Sequence, residues 1–254
     1  MDLIDTHCHL DDSRFESDRA QVLARCEQAG VRRIVVPGVT AESWSRLLAL
    51  CETHAGLYPA LGMHPMYLEA HKPAHLDQLA SLLEESRPLA VGEIGLDYYI
   101  ENPDAQNQES LLRAQLDFAR HTELPVLLHC RKAHDRILKA LREIPVRGGI
   151  AHAFNGSLQQ AHQYIELGFK LGFGGMLTYE RSNKLRKLAR ELPLEAIVLE
   201  TDAPDMTVAS HRGERNSPEY LPECLAALAE VRNADPTEVA RQTTANAEAV
   251  LGLH

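Results

Sequence analysis

Residues 89–97 read Leu89-Ala90-Val91-Gly92-Glu93-Ile94-Gly95-Leu96-Asp97. An acidic side chain sits here in an apolar run and is flanked by glycines. An ionised carboxylate in such a run is costly unless it is paired or bound to a cation. Glu93 therefore marks a strand that carries chemistry. The pattern recurs along the chain. Pro125-Val126-Leu127-Leu128 runs into His129, and Gly149-Ile150-Ala151 runs into His152. Ile197-Val198-Leu199 runs into Glu200, Thr201 and Asp202, and Gly62-Met63 precedes His64. The first apolar run ends in Thr6-His7-Cys8-His9. Side chains alternate along a strand, so His7 and His9 face one side and Cys8 the other.

Between these ends the chain alternates β-rich runs with amphipathic helical stretches. The strand candidates are 3–5, 33–36, 58–61, 89–94, 125–129, 149–153, 169–173 and 197–201. Helical periodicity covers, for example, 19–29, 43–51, 76–84, 106–120 and 184–191, and two more helices are expected at 221–231 and 236–250. Strand–helix alternation points to a parallel α/β sheet. An open, doubly wound sheet is the alternative topology. Closure is favoured because histidines and carboxylates fall at the same end of successive strands. A TIM (β/α)₈ barrel gathers those ends on one rim, where its catalytic residues sit. We expect residues 1–254 to form a single barrel domain with one or two extra C-terminal helices. The length suits that fold, which typically needs about 250 residues. One stretch, 203–218, lacks apolar periodicity and reads as a long loop.

Several function classes are excluded or disfavoured. A net charge of −10 argues against a broad basic face coating nucleic acid. It leaves room for an enzyme that handles one or two phosphates, since bound cations supply local positive charge. No apolar run approaches the roughly 18 residues of a membrane span. With an acidic start, Met1-Asp2-Leu3-Ile4-Asp5, a cytoplasmic location is expected. The five cysteines, Cys8, Cys26, Cys51, Cys130 and Cys224, form no C-x-x-C pair and read as reduced thiols. Cys8 and Cys130 neighbour candidate ligands but should turn toward the helical layer. Three or four histidines with two or three carboxylates make a mixed N/O donor set suited to Zn²⁺, Mn²⁺ or Mg²⁺.

The motifs resemble those of a known family. IDTHCHLDD (4–12), GMHP (62–65), AVGEIGLDYY (90–99), LPVLLHCRKAHD (124–135), AHAFNGS (151–157), ETDAPD (200–205) and RGERNSPEYL (212–221) are similar, in order, to those of TatD-like metal-dependent hydrolases of the amidohydrolase superfamily. HCRKAHD and ETDAPDM resemble its YjjV-type branch most. The resemblance implies a TIM barrel with a two-metal centre and deoxyribonuclease-type phosphodiester hydrolysis of the 3′–5′ exonuclease kind. Carried over, His7, His9, Glu93 and Asp202 would bind one metal. Glu93 would bridge to a second held by His129 and His152. Glu93 stands where many amidohydrolases use a modified lysine. One departure is Ala153, where the family often has cysteine; that position should point away from the metals.

On this reading two divalent ions would generate hydroxide from water. Asp202 would orient the water or take its proton, and His64 would donate a hydrogen bond to the phosphate or leaving group. Arg131, Arg212 and Arg215 would neutralise phosphate charge. Asp97 and Glu200 would fix histidine tautomers or form an outer metal site. The expected partner is DNA, as single strands or ends, or a small phosphodiester, with no membrane or obligate protein partner. A rival enzyme reading keeps the metals but attacks carbonyl centres, as an amidase, esterase or aminoacyl-tRNA deacylase. A second rival is a non-catalytic, metal-stabilised scaffold, whose metal site would be coordinatively closed.

Overall fold

A computed structural model describes residues 2–253. Eight strands follow one another around a single sheet in sequence order, all parallel: β1 (Leu3–Asp5), β2 (Val31–Pro37), β3 (Leu57–Leu61), β4 (Ala90–Asp97), β5 (Val126–Arg131), β6 (Gly149–Ala151), β7 (Phe169–Phe173) and β8 (Ile197–Leu199). Helices α1 (Arg19–Ala29), α2 (Ala41–Thr53), α3 (Pro73–Glu85), α4 (Ala105–Thr122), α5 (His134–Glu143), α6 (Leu158–Glu166), α7 (Asn183–Glu191) and α8 (Leu221–Arg232) each follow a strand, and α9 (Pro236–Leu251) is additional. This is the TIM barrel anticipated from the strand ends.

The barrel closes between β8 and β1 through a seam of hydrogen bonds. Thr6 N donates to Leu199 O at 3.1 Å, and Asp202 N donates to His7 O at 2.8 Å. Asp5 stitches the same seam with its side chain. Its carboxylate accepts from Thr201 N at 3.0 Å, Thr201 Oγ1 at 2.5 Å and His7 N at 3.2 Å. Asp5 is fully buried, and burial pushes its carboxyl up to about 7.

Two apolar layers explain the strand composition. Ile4, Val35, Ala60, Ala90, Leu127, Ile150 and Val198 fill the barrel interior, and Ala247, Leu251 and Leu253 cluster with them. Thus α9 plugs the floor, while α8 takes the eighth outer position. The larger cluster lies between sheet and helices and includes Trp44, whose Nε1 donates to Gly62 O at 3.1 Å. Strands apolar on consecutive residues are what two covered faces require.

Strand boundaries differ from the sequence expectation at the upper rim. β4 and β5 run on to Asp97 and Arg131, whereas β6 and β8 stop at Ala151 and Leu199. Ala153 leaves the sheet with φ of 44°, and Thr201 turns its hydroxyl to Asp5. Residues 203–218 form the expected long connection, but it is pinned. Buried Asn216 donates its side-chain amide to Thr201 O at 2.8 Å and Asp205 O at 2.7 Å.

Candidate metal centre

The upper rim gathers the residues that the strand ends singled out. Glu93, 2% exposed, lies at the middle of the cluster, and its two oxygens face different partners. Oε2 lies 3.1 Å from His7 Nε2 and 3.5 Å from His9 Nε2. Oε1 lies 3.0 Å from His129 Nδ1 and 3.4 Å from His64 Nε2. Asp202 Oδ1 completes the group, 3.4 Å from His152 Nε2, 3.7 Å from His9 Nε2 and 3.9 Å from His7 Nε2. The rings of His7 and His152 stack with centroids 3.6 Å apart. Three sets of donors lie close enough for a common cation: His7, Glu93 and His152; His7, His9 and Asp202; and His64, Glu93 and His129. A carboxylate shared between neighbouring sets is the arrangement a bridged pair of cations uses.

The protonation states suit cation binding. Burial alone would raise Glu93, but the surrounding His7 and His64 hold it well below the ordinary carboxylate range. Asp202 is likewise held down to about 2 by His152, His7 and His9 against its burial. Burial pushes His64 down to about 4 and lowers His7, so both present neutral imidazoles. Burial opposes charge on His129 and His152, yet neighbouring carboxylates raise both. Carboxylates at this density need cationic partners, and a metal ion replaces protons in that role. The residues present thus fit a divalent metal with N/O donors.

Outside the cluster, two carboxylates back two of the histidines. Asp97 Oδ2 lies 2.9 Å from His129 Nε2, which leaves Nδ1 for the Glu93 side. Glu200 Oε1 lies 3.1 Å from His152 Nδ1, although not aligned for a hydrogen bond, and accepts from Ala153 N at 2.6 Å. Asp97 thus bonds a histidine as a partner fixing its tautomer would, whereas Glu200 lies beside His152 without bonding it. Glu200 fits only because residue 172 is glycine: a Cβ there would stand 2.0 Å from Glu200 Oε2.

His64 is distinguished from the other histidines by its backbone. Its Nδ1 accepts from Met66 N at 3.2 Å. A neutral imidazole with an accepting Nδ1 carries its proton on Nε2, a tautomer assigned from that bond. Nε2–H then faces Glu93 Oε1 as a donor. Proximity alone would place His64 among the ligands; its hydrogen bonding favours a donor role.

A cavity of about 1080 Å³ opens over the cluster, and Arg131, Arg46 and Lys184 are among its lining residues. Arg131 Nη1 lies 3.5 Å from Asp97 Oδ2. The structure does not bring Arg212 and Arg215 to this cavity. Arg215 donates to both oxygens of Asp18 at 2.8 and 2.7 Å and lies 4.3 Å over the Phe15 ring. Arg212 is exposed outside the cavity. These arginines anchor or flank the long connection, a role that charge alone did not reveal. Lys184, at the start of α7, and Asn155 line the cavity and were not singled out; only their positions after strand ends signalled them. Cys8 and Cys130 turn away as expected, and burial raises both thiols, Cys130 to about 12. His134 serves a structural network, 3.2 Å from each of Cys130 Sγ, Tyr164 Oη and Asn155 Oδ1.

Among the described residues, no helix is long and apolar enough to cross a membrane. The sequence model of the family described as TatD related DNase matches residues 4–252. The uncharacterized metal-dependent hydrolase YjjV of Escherichia coli K12 is 44% identical over 242 residues, covering 94% of this chain and 93% of that protein. The 3′-5′ ssDNA/RNA exonuclease TatD of Salmonella typhimurium LT2 is 34% identical over 255 residues, covering 96% and 97%. The crystal structure of the E. coli K12 YjjV protein, a TatD homologue, superposes with a TM-score of 0.96 at 42% identity, covering 99% of this chain and 98% of that one. A buried Glu93 flanked by histidines, on a barrel matching that of YjjV, places this chain in the TatD family of metal-dependent hydrolases.

Proposed function

We propose that the chain is a phosphodiesterase that removes nucleotides from single-stranded DNA ends in the manner of a 3′–5′ exonuclease, with two divalent metals. The observation that carries this reading is Glu93, whose two oxygens face two histidine sets. A carboxylate so placed could contribute to both of two neighbouring cations, whose chemistry would suit phosphoryl transfer. The TatD relative named as an ssDNA/RNA exonuclease supports the same substrate class.

His7, His9, Glu93 and Asp202 would hold one metal, and Glu93, His129 and His152 the other. When bound, such ions polarise the phosphoryl group and furnish a nucleophile from water near neutral pH. The chain's residues do the rest. Asp202, ionised and at the cluster, accepts a hydrogen bond from the attacking water and is placed to take its proton. His64 donates its Nε2–H toward a phosphate or leaving-group oxygen. Arg131, steadied by Asp97, offers a forked guanidinium to the phosphate.

The test is a substrate panel on one metal-loaded sample: single-stranded DNA, bis(p-nitrophenyl) phosphate, and acyl esters including an aminoacyl ester. DNA and the phosphodiester should turn over, with the acyl esters far slower. Preference for the acyl esters would transfer the chain to the carbonyl-centred reading.

A further inference from the structure

The cavity rim carries apolar side chains that the metal chemistry does not use. Five large hydrophobic side chains are exposed among the described residues, and four of them, Met66, Tyr67, Met176 and Met206, line the cavity over the metal centre. Tyr67 is 47% exposed and Met206 38%. The protein is otherwise sparing with exposed apolar groups, so this grouping asks for a ligand.

Their placement is specific. Met66 and Tyr67 lie in the short 3₁₀ segment Pro65–Ala70 that follows β3. That segment is tied to His64: Met66 N donates to His64 Nδ1, Tyr67 N donates to His64 O at 3.1 Å, and His71 Nε2 lies 2.9 Å from the same carbonyl. The Tyr67 ring meets His64 edge-on with centroids 5.8 Å apart. Met176 follows β7, and Met206 follows β8. Their two loops are pressed together where Gly175 passes Met206: a Cβ on Gly175 would stand 2.3 Å from Met206 O. In an eight-stranded barrel β3 lies across from β7, and β4 from β8. The two apolar walls therefore face each other with the metal cluster between them.

Resting on the nuclease reading above, we infer that these walls are two nucleobase subsites flanking the scissile phosphate. The Met66–Tyr67 platform takes one base, and the Met176–Met206 wall takes the base on the other side. A phosphate at the metals carries one nucleoside on each side, which matches one apolar wall on each side. A tyrosine face and polarizable thioethers attract any base through its π surface, without reading its hydrogen-bonding edge. The subsites thus select unpaired bases and are indifferent to sequence, since a paired base has both faces stacked within a helix.

The test compares oligodeoxynucleotides intact or lacking one base, at the terminal or the penultimate nucleotide. In the metal-loaded wild type, removing either base should raise KM about tenfold, within the range of stacking on an aromatic platform. Tyr67→Ala should abolish the sensitivity to one of the two bases and leave the other. Met176→Ala with Met206→Ala should do the converse, and Tyr67→Phe should restore the dependence. A second readout is the fluorescence of 2-aminopurine at the corresponding nucleotide, quenched on binding to the wild type and not to Tyr67→Ala. Equal sensitivity to both bases in all variants overturns the assignment and leaves the nuclease reading intact. Failure of the wild type to cleave any oligonucleotide while hydrolysing acyl esters overturns both.

Discussion

Gly172→Ala isolates the support behind one ligand without touching the ligand. Gly172 lies outside the left-handed region, so an added methyl is opposed by space and not by backbone conformation. That methyl would stand 2.0 Å from Glu200 Oε2, so the carboxylate must retreat by more than an ångström to reach ordinary contact. Glu200 then gives up its bond to Ala153 N and its place behind His152. Overpacking costs about 1–3 kcal/mol, and loss of a charged hydrogen bond costs about 1.5–3 kcal/mol. The expected loss is about 2.5–6 kcal/mol, or roughly 5–24 °C in Tm for a chain of this size. Metal affinity should fall about 10–100-fold, as when an outer partner of a ligating histidine is removed. Calorimetric titration of the metal and thermal melts would measure both effects. The decisive comparison is a double-mutant cycle with Glu200→Ala. Once the glutamate is gone, the methyl has room and should cost less than about 1 kcal/mol, a coupling typical of residues in contact. Additive effects would refute the reasoning, because they would mean that Gly172 and Glu200 act separately.

Asp202→Asn should keep the fold and lower phosphodiesterase turnover by about 10²–10⁴, whereas near-normal activity would remove Asp202 from proton transfer. Chelation should abolish activity, with Mg²⁺, Mn²⁺ or Zn²⁺ restoring it; indifference to chelators would dismiss the metal centre. His64→Gln should lower kcat while metal content by elemental analysis stays at the wild-type level, and a drop in bound metal would make His64 a ligand. Arg131→Ala should raise KM for DNA, while Arg215→Ala should lower stability by about 1–2 kcal/mol through the partly exposed Asp18 pair and the Phe15 contact. A matching rise in KM for Arg215→Ala would return that residue to phosphate binding.

The strand ends made much of this site legible. Glu93, His129 and His152 each stand in or after an apolar run, where polarity is costly without a partner, so their types alone carried the signal. The barrel followed from their common end. What sequence could not supply was pairing at a distance. Arg215 and Asp18 are 197 residues apart, and nothing local distinguishes a pinned guanidinium from one awaiting phosphate. The tautomer of His64 depends on a backbone N–H two residues on, which only the turn after β3 aims at the ring. The floor role of α9 was hidden too: its apolar face shows that it packs, but not that it packs beneath the strands.

The seam between β1 and β8 has a bearing on synthesis. Asp202 and the Thr201 that meets Asp5 follow His7 and His9 in the chain by more than 190 residues. A nascent chain thus brings His7, His9 and Glu93 into being long before Asp202 arrives. Capture of the cation that Asp202 would help to hold must wait until β8 meets β1, so loading of that position would report that the ring has shut.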